Sequence, residues 1–197
     1  MMFYAMRNLF ALIGVVAVVV AVYAAIKMQP MMEQMEKFDP RAGEVYMEMA
    51  EKLLQSGNSA EATVWKVPVE EGLSWEEVEE TMRFVANEHN IKNVGELPLS
   101  KQVEAMTGES YRFLKIYMFC NALTAAKMLE YNDAYSAYLP CRVSMVEDKQ
   151  GKLWLYSLNM DPMIYGGVPL PAELKEEAQN VKIIIQDIMH RGAAGDF

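Results

Sequence analysis

Histidine and cysteine are nearly missing from this chain. There are two of each in 197 residues, His89 and His190 about a hundred residues apart and Cys120 and Cys141 twenty-one apart. No CxxC or CxxCH occurs, so neither a thioredoxin-like site nor covalent c-type haem attachment has its ligands. Basic residues are also scarce: 18 Lys and Arg stand against 27 Asp and Glu, a formal charge of −9. That balance weighs against nucleic acid or an anionic lipid surface as a partner of the soluble part, and favours a cationic protein surface. Glycine is sparse, and the pair Gly166-Gly167, lying between Tyr165 and Val168-Pro169-Leu170-Pro171, lacks the context of a phosphate loop. It reads as a turn into the last helix.

One stretch lacks charge altogether. From Leu9 to Ile26 no charged side chain interrupts the apolar run, with Arg7 just before it and Lys27 just after. At 1.5 Å per residue a helix of that length spans about the hydrocarbon core of a bilayer and satisfies its own backbone there. A cleaved signal peptide is the competing reading, since Val22-Tyr23-Ala24 offers small residues to a peptidase. Gly14, Ala17, Ala21 and Ala25 recur every three or four residues and form a smooth stripe that lets a second helix approach; small residues are also common in membrane helices generally. The short basic tail favours a cytoplasmic N-terminus and an exported, periplasmic domain, although Lys27, Lys37 and Arg41 count the other way.

Residues 1–27 thus form a candidate anchor, 28–61 a helical stalk and linker, and 62–197 the domain. Asp39-Pro40 is a helix start, and Val45, Met49 and Leu53 repeat until Gly57. In the domain, Thr63 to Val69 reads as a strand. Ser74 and Glu77 make a capping box for a helix whose apolar face is Trp75, Val78, Met82 and Val85, with Glu76, Glu79 and Glu80 turned elsewhere. An extended stretch near Ile91–Leu97, a short helix over 100–106, a buried strand over 112–120 and a helix over 122–131 follow. Cys141–Val146 and Leu153–Leu158 flank a polar turn as a hairpin. The final helix follows Pro171 with Leu174, Ala178, Val181, Ile185 and Ile188 on one face, and Gly192 as its stop. The order is α+β.

The run from Leu139-Pro140-Cys141-Arg142 through Glu147-Asp148-Lys149-Gln150-Gly151 to Trp154-Leu155 resembles the signature of the domain-of-unknown-function 302 family over about residues 62–192. The resemblance implies a curved antiparallel sheet packed by helices, similar to the TATA-binding-protein arrangement and often self-associating. It carries no catalytic set. Where relatives have an asparagine-proline pair after the central strand, this chain has Asn121-Ala122, so a role tied to that proline does not transfer.

Candidate chemistry is thin. Helix-end histidines ordinarily complement the dipole. Cys120 and Cys141 are either two buried thiols or a disulfide across strand ends. Glu70-Glu71 and Glu76, Glu77, Glu79 and Glu80 read as solvated faces rather than paired carboxylates. Methionine, 17 in all, is the oddity: Met28, Met31, Met32 and Met35 share a helical face, which suits soft Cu(I) or, equally, an irregular protein contact. No catalytic residue and no resident cofactor are expected. Two functions remain. One is a non-catalytic single-span accessory subunit of a larger membrane complex, respiratory or otherwise redox, docking on integral membrane subunits through the stripe with Met31 and Met35. The other is an anchored domain that binds a small ligand or copper.

Overall fold

The computed structural model describes residues 2–197, with side chains from residue 6 onward except residue 9. A single helix, α1 (Met2–Met35), carries the apolar run and continues through Pro30. Its segment Met6–Met35 is long and apolar enough to cross a membrane. Then come α2 (Ala42–Ser56), the one-turn α3 (Ser59–Ala62), β1 (Val64–Pro68), α4 (Trp75–Glu88), β2 (Lys92–Leu97), α5 (Leu99–Thr107), β3 (Leu114–Cys120) and α6 (Ala122–Tyr131). A 3-10 segment over Asp133–Tyr138 leads into β4 (Cys141–Glu147), β5 (Leu153–Leu158), the short α7 (Asp161–Tyr165) and α8 (Ala172–Ala194).

The five strands form one antiparallel sheet in the order β1-β5-β4-β3-β2. Strand alternation sorts their side chains. Tyr117, Phe119, Val143, Met145, Leu155 and Ser157 turn to one face and are buried, while their neighbours Ile116, Met118, Ser144 and Tyr156 turn to the other and stay partly exposed. The helices α4 and α8 cover the buried face, with Val78, Met82 and Val85 of one meeting Ile185, Ile188 and Met189 of the other in a common core. The capping box at Ser74 forms as the sequence implies, its hydroxyl accepting from the Glu77 N–H while the Glu77 carboxylate accepts from the Ser74 N–H.

Three expectations are corrected by packing. Gly192 does not end α8; it is buried inside it, and Gly195, at φ +69°, is the cap. A Cβ at Gly192 would stand 2.5 Å from Met82 Cγ, so this glycine sets how closely α4 and α8 approach. Glu79 is no solvated acid. It is 8 % exposed and joins a ring of opposite charges: its carboxylate accepts from Tyr117 Oη and Lys115 Nζ, each at 2.6 Å, and pairs with Arg83 at 2.6 Å. Glu96 closes the ring, paired with Arg83 at 2.5 Å and Lys115 at 2.7 Å. Two acids and two bases cancel there, which is what a half-buried charge group requires. Burial opposes charge on Glu96, but hydrogen bonds from Lys115, Arg83 and Asn93 outweigh it and hold its carboxyl below the usual range.

The stalk, third, is helical in two pieces as the spacing implies, but the second piece is not separate from the domain. Its second helix, α2, lies on the domain: Ala42 and Val45 are buried, and Tyr46 Oη donates to the Gly166 carbonyl at 2.7 Å. Asp39 fixes the entry. It is 3 % exposed, ion-paired with Lys175, accepts from the Arg41 N–H at 3.0 Å, and its own N–H donates to the Gly167 carbonyl at 2.7 Å. Burial pushes its carboxyl up, and Lys175 together with Arg41 more than offsets this, leaving it below the ordinary value.

Gly192→Ala is expected to destabilise the chain by about 1–2 kcal/mol in urea unfolding, because the overpacking outweighs the gain in helix propensity of about 1 kcal/mol. An unchanged or raised midpoint would show that α4 and α8 can move apart freely.

Candidate binding cavity at the strand ends

The core face of the sheet is not filled to its end. Beyond Phe119, Cys141 and Ser157 the chain covers it with α6, the 3-10 segment and the N-terminal half of α8, each shorter than α4. A cavity of about 50 Å³ remains between them. Its walls are apolar: Phe119 and Leu139 on the strand side, Ala125 and Met128 from α6, Met160 and Met163 around α7, and Ala178 and Val181 from α8.

Polar groups reach it from few directions. Asn121 caps α6, accepting from the N–H groups of Leu123 and Thr124, and so holds the helix start at the rim. Thr124 donates its hydroxyl to Glu177 at 3.1 Å, and Tyr135 donates its phenol to the Met163 carbonyl at 3.3 Å. Ser157 is different. It is 5 % exposed and belongs to the buried row of β5, between Trp65 of β1 and Val143 of β4. Among the described residues its hydroxyl has no hydrogen-bond partner and no fully buried side-chain oxygen lacks one, so this hydroxyl opens on the cavity that Ser157 lines.

Cys120 and Cys141 both border the cavity and both are free. The register pairs Cys141 with Phe119, so Cys120 is one residue out of phase and its side chain falls on the other face of the sheet. Burial pushes the Cys141 thiol up to about 11, with the nearby Cys120 adding to it and Arg142 opposing it; burial also raises Cys120.

The other singled-out residues lie apart from this cavity. Gly14, Ala17, Ala21, Ala25, Met28, Met31, Met32 and Met35 are all on α1 and exposed. At 3.6 residues per turn they share roughly one third of the helix circumference, a single stripe some thirty ångströms long. His89 Nε2 lies 2.7 Å from Asp187 Oδ2, tying the end of α4 to α8, and His190 sits on α8 away from it. Among the described residues no three His, Cys, Asp or Glu side chains converge as metal ligands.

Helices on one face of a curved antiparallel sheet, with a small, mostly apolar cavity at the strand ends, define an α+β domain. The chain belongs to the family described as domain of unknown function DUF302, whose profile matches residues 65–191. Its fold is similar to the crystal structure of an uncharacterized conserved DUF302 protein from Bacillus stearothermophilus, with a TM-score of 0.53 and 16 % identity. The match covers 66 % of this chain and 97 % of that one. No curated protein matches the chain significantly. The run that carries the family resemblance therefore has a location: Leu139, Cys141 and Arg142 border the cavity, as does Asn121.

Ser157 has no motif around it in the sequence, being a serine within an apolar strand. Its signal was its phase, since it occupies an inward position of the hairpin.

Two thiols per chain should titrate with a disulfide reagent after denaturation without reductant. In the folded chain at pH 8 both should react more slowly than a free cysteine, and Cys141 should accelerate only as pH nears 11. Fast labelling of Cys141 at pH 8 would mean that the cavity is open to bulk water.

Proposed function

We propose that this chain is a single-span, membrane-anchored binding domain that holds a small ligand in the cavity at the strand ends. The observation that carries the reading is the cavity itself, with apolar walls, one inward hydroxyl without a partner, and the family-signature run at its edge. Such a combination is typical of binding sites, where mostly apolar lining gives affinity and a few polar groups give orientation. No nucleophile–base pair accompanies it, so the reading is binding and not turnover. The domain would stand on the exported side, in keeping with the short basic N-terminal tail.

A second reading has its own observation. The stripe of Gly14, Ala17, Ala21, Ala25, Met28, Met32 and Met35 leaves one face of α1 smooth and exposed, and Asp39 clamps the domain close behind it. A helix so patterned packs on another membrane helix. On this reading the chain is an accessory subunit of a membrane complex, with Met31 and Met35 at the contact; a copper role for Met28, Met31, Met32 and Met35 rests on their thioethers alone.

Native mass spectrometry of the full chain, released from its own membranes in mild detergent, tests the first reading. The wild type is expected to carry a small additional mass that Ala125→Phe, which fills the cavity, loses while keeping its far-ultraviolet dichroism. Equal masses on both forms would overturn it.

For the second, Ala21→Leu should release a stoichiometric partner that the wild type retains through purification. Partner-free wild-type protein, stable and monomeric in mild detergent, would remove the subunit reading.

A further inference from the structure

The cavity's chemistry narrows what it can hold, and the argument rests on the cavity reading above. Charge is excluded first. The inner walls are Phe119, Met128, Met160, Met163, Ala178 and Val181, none of which can compensate an ion, and Arg142, the one charged residue bordering the cavity, is exposed at a strand position that alternates to the other face of the sheet. An uncompensated charge taken into such surroundings costs several kcal/mol. The Cys141 thiol at the same wall is held protonated by its burial, a resident example of that cost. Size is limited next: about 50 Å³ admits a group of only a few heavy atoms. The remaining requirement comes from Ser157. Ser157 is 5 % exposed, and its hydroxyl, unpaired among the described residues, is satisfied by what occupies the cavity.

We propose that the cavity receives the neutral carbonyl or alcohol end of a small, otherwise apolar molecule, with Ser157 Oγ donating a hydrogen bond to its oxygen. The methionine thioethers of Met128, Met160 and Met163 close around the apolar remainder, and their unbranched side chains adapt to its shape. Thr124 and Tyr135 already spend their hydroxyl hydrogens on Glu177 and Met163, and Asn121, Tyr138 and Arg142 are exposed at the rim, which leaves Ser157 as the buried hydroxyl that selects the ligand. Water fits the same hydroxyl, and a ligand must displace it by bringing both an oxygen and apolar surface.

The test uses the full chain in detergent micelles with its methionine methyls labelled with carbon-13. Met128, Met160 and Met163 report the cavity, while Met31 and Met35 on α1 report partition into the micelle. Acetone is the probe, isobutene its apolar isostere and acetate its charged counterpart. Acetone should saturably shift the three cavity methyls; isobutene should do so more weakly, and acetate not at all. Ser157→Ala should weaken acetone about fivefold and leave isobutene unchanged, the loss expected for one hydrogen bond; Ser157→Cys, which keeps a side chain there but donates only weakly, should lose acetone affinity likewise.

Equal binding of acetone and isobutene, or an unchanged acetone affinity in both Ser157 variants, would overturn the hydrogen-bond assignment while leaving a binding cavity in place. Silence of all three cavity methyls toward both neutral probes would remove this inference and the cavity reading together.

Discussion

The covering of one sheet face by α4 and α8 is the constraint on which the remaining structure depends. Five strands with an alternating pattern present Tyr117, Phe119, Val143, Met145 and Leu155 on one side only, and that row must be roofed. Two helices side by side do this, and the absence of a Cβ at Gly192 lets them meet over Met82. Where they are close, the core is filled. Toward the far strand ends α4 no longer reaches, and the lighter cover of α6 and the 3-10 segment leaves space. The cavity is thus a by-product of where the tight helix pair stops, and its walls are whatever the sheet and α8 already present there.

Charge follows the same geometry. A chain with nine more acids than bases keeps its interior nearly neutral by pairing locally. Glu79 and Glu96 meet Lys115 and Arg83 at one edge of the sheet, and Asp39 meets Lys175 at the entry of α2. The surplus is left to the surface. Since breaking one member of such a set strands its partners, these groups hold particular elements in place more than they add net stability.

Much of the fold was legible because it follows local rules. The Ser74–Glu77 capping box, the Cys141–Leu158 hairpin and the apolar face of α8 each depend on residues a few positions apart, and each is found where the spacing implies. What escaped depends on contacts across the chain. Glu79 reads as a surface acid until Lys115 and Tyr117 arrive from β3; Lys115, a lone cation in an apolar strand, was the clue that an acid must come to it. Gly192 reads as a stop because glycine usually is one, and only the approach of Met82 assigns it to the helix interior. Val45 looked like part of a free stalk, yet it is in the core. Ser157 was invisible for a similar reason, as its meaning lies in what its neighbours leave empty.

Only residues 36–38 separate the end of α1 from the buried Asp39. Past Ile26, α1 runs nine more residues, about 14 Å of helix, and three linking residues add at most about 10 Å. A domain on so short a leash samples a shell rather than a volume. With α1 in a bilayer, a molecule arriving along the membrane surface would meet the domain at a high effective concentration, whereas one in the distant aqueous phase would not.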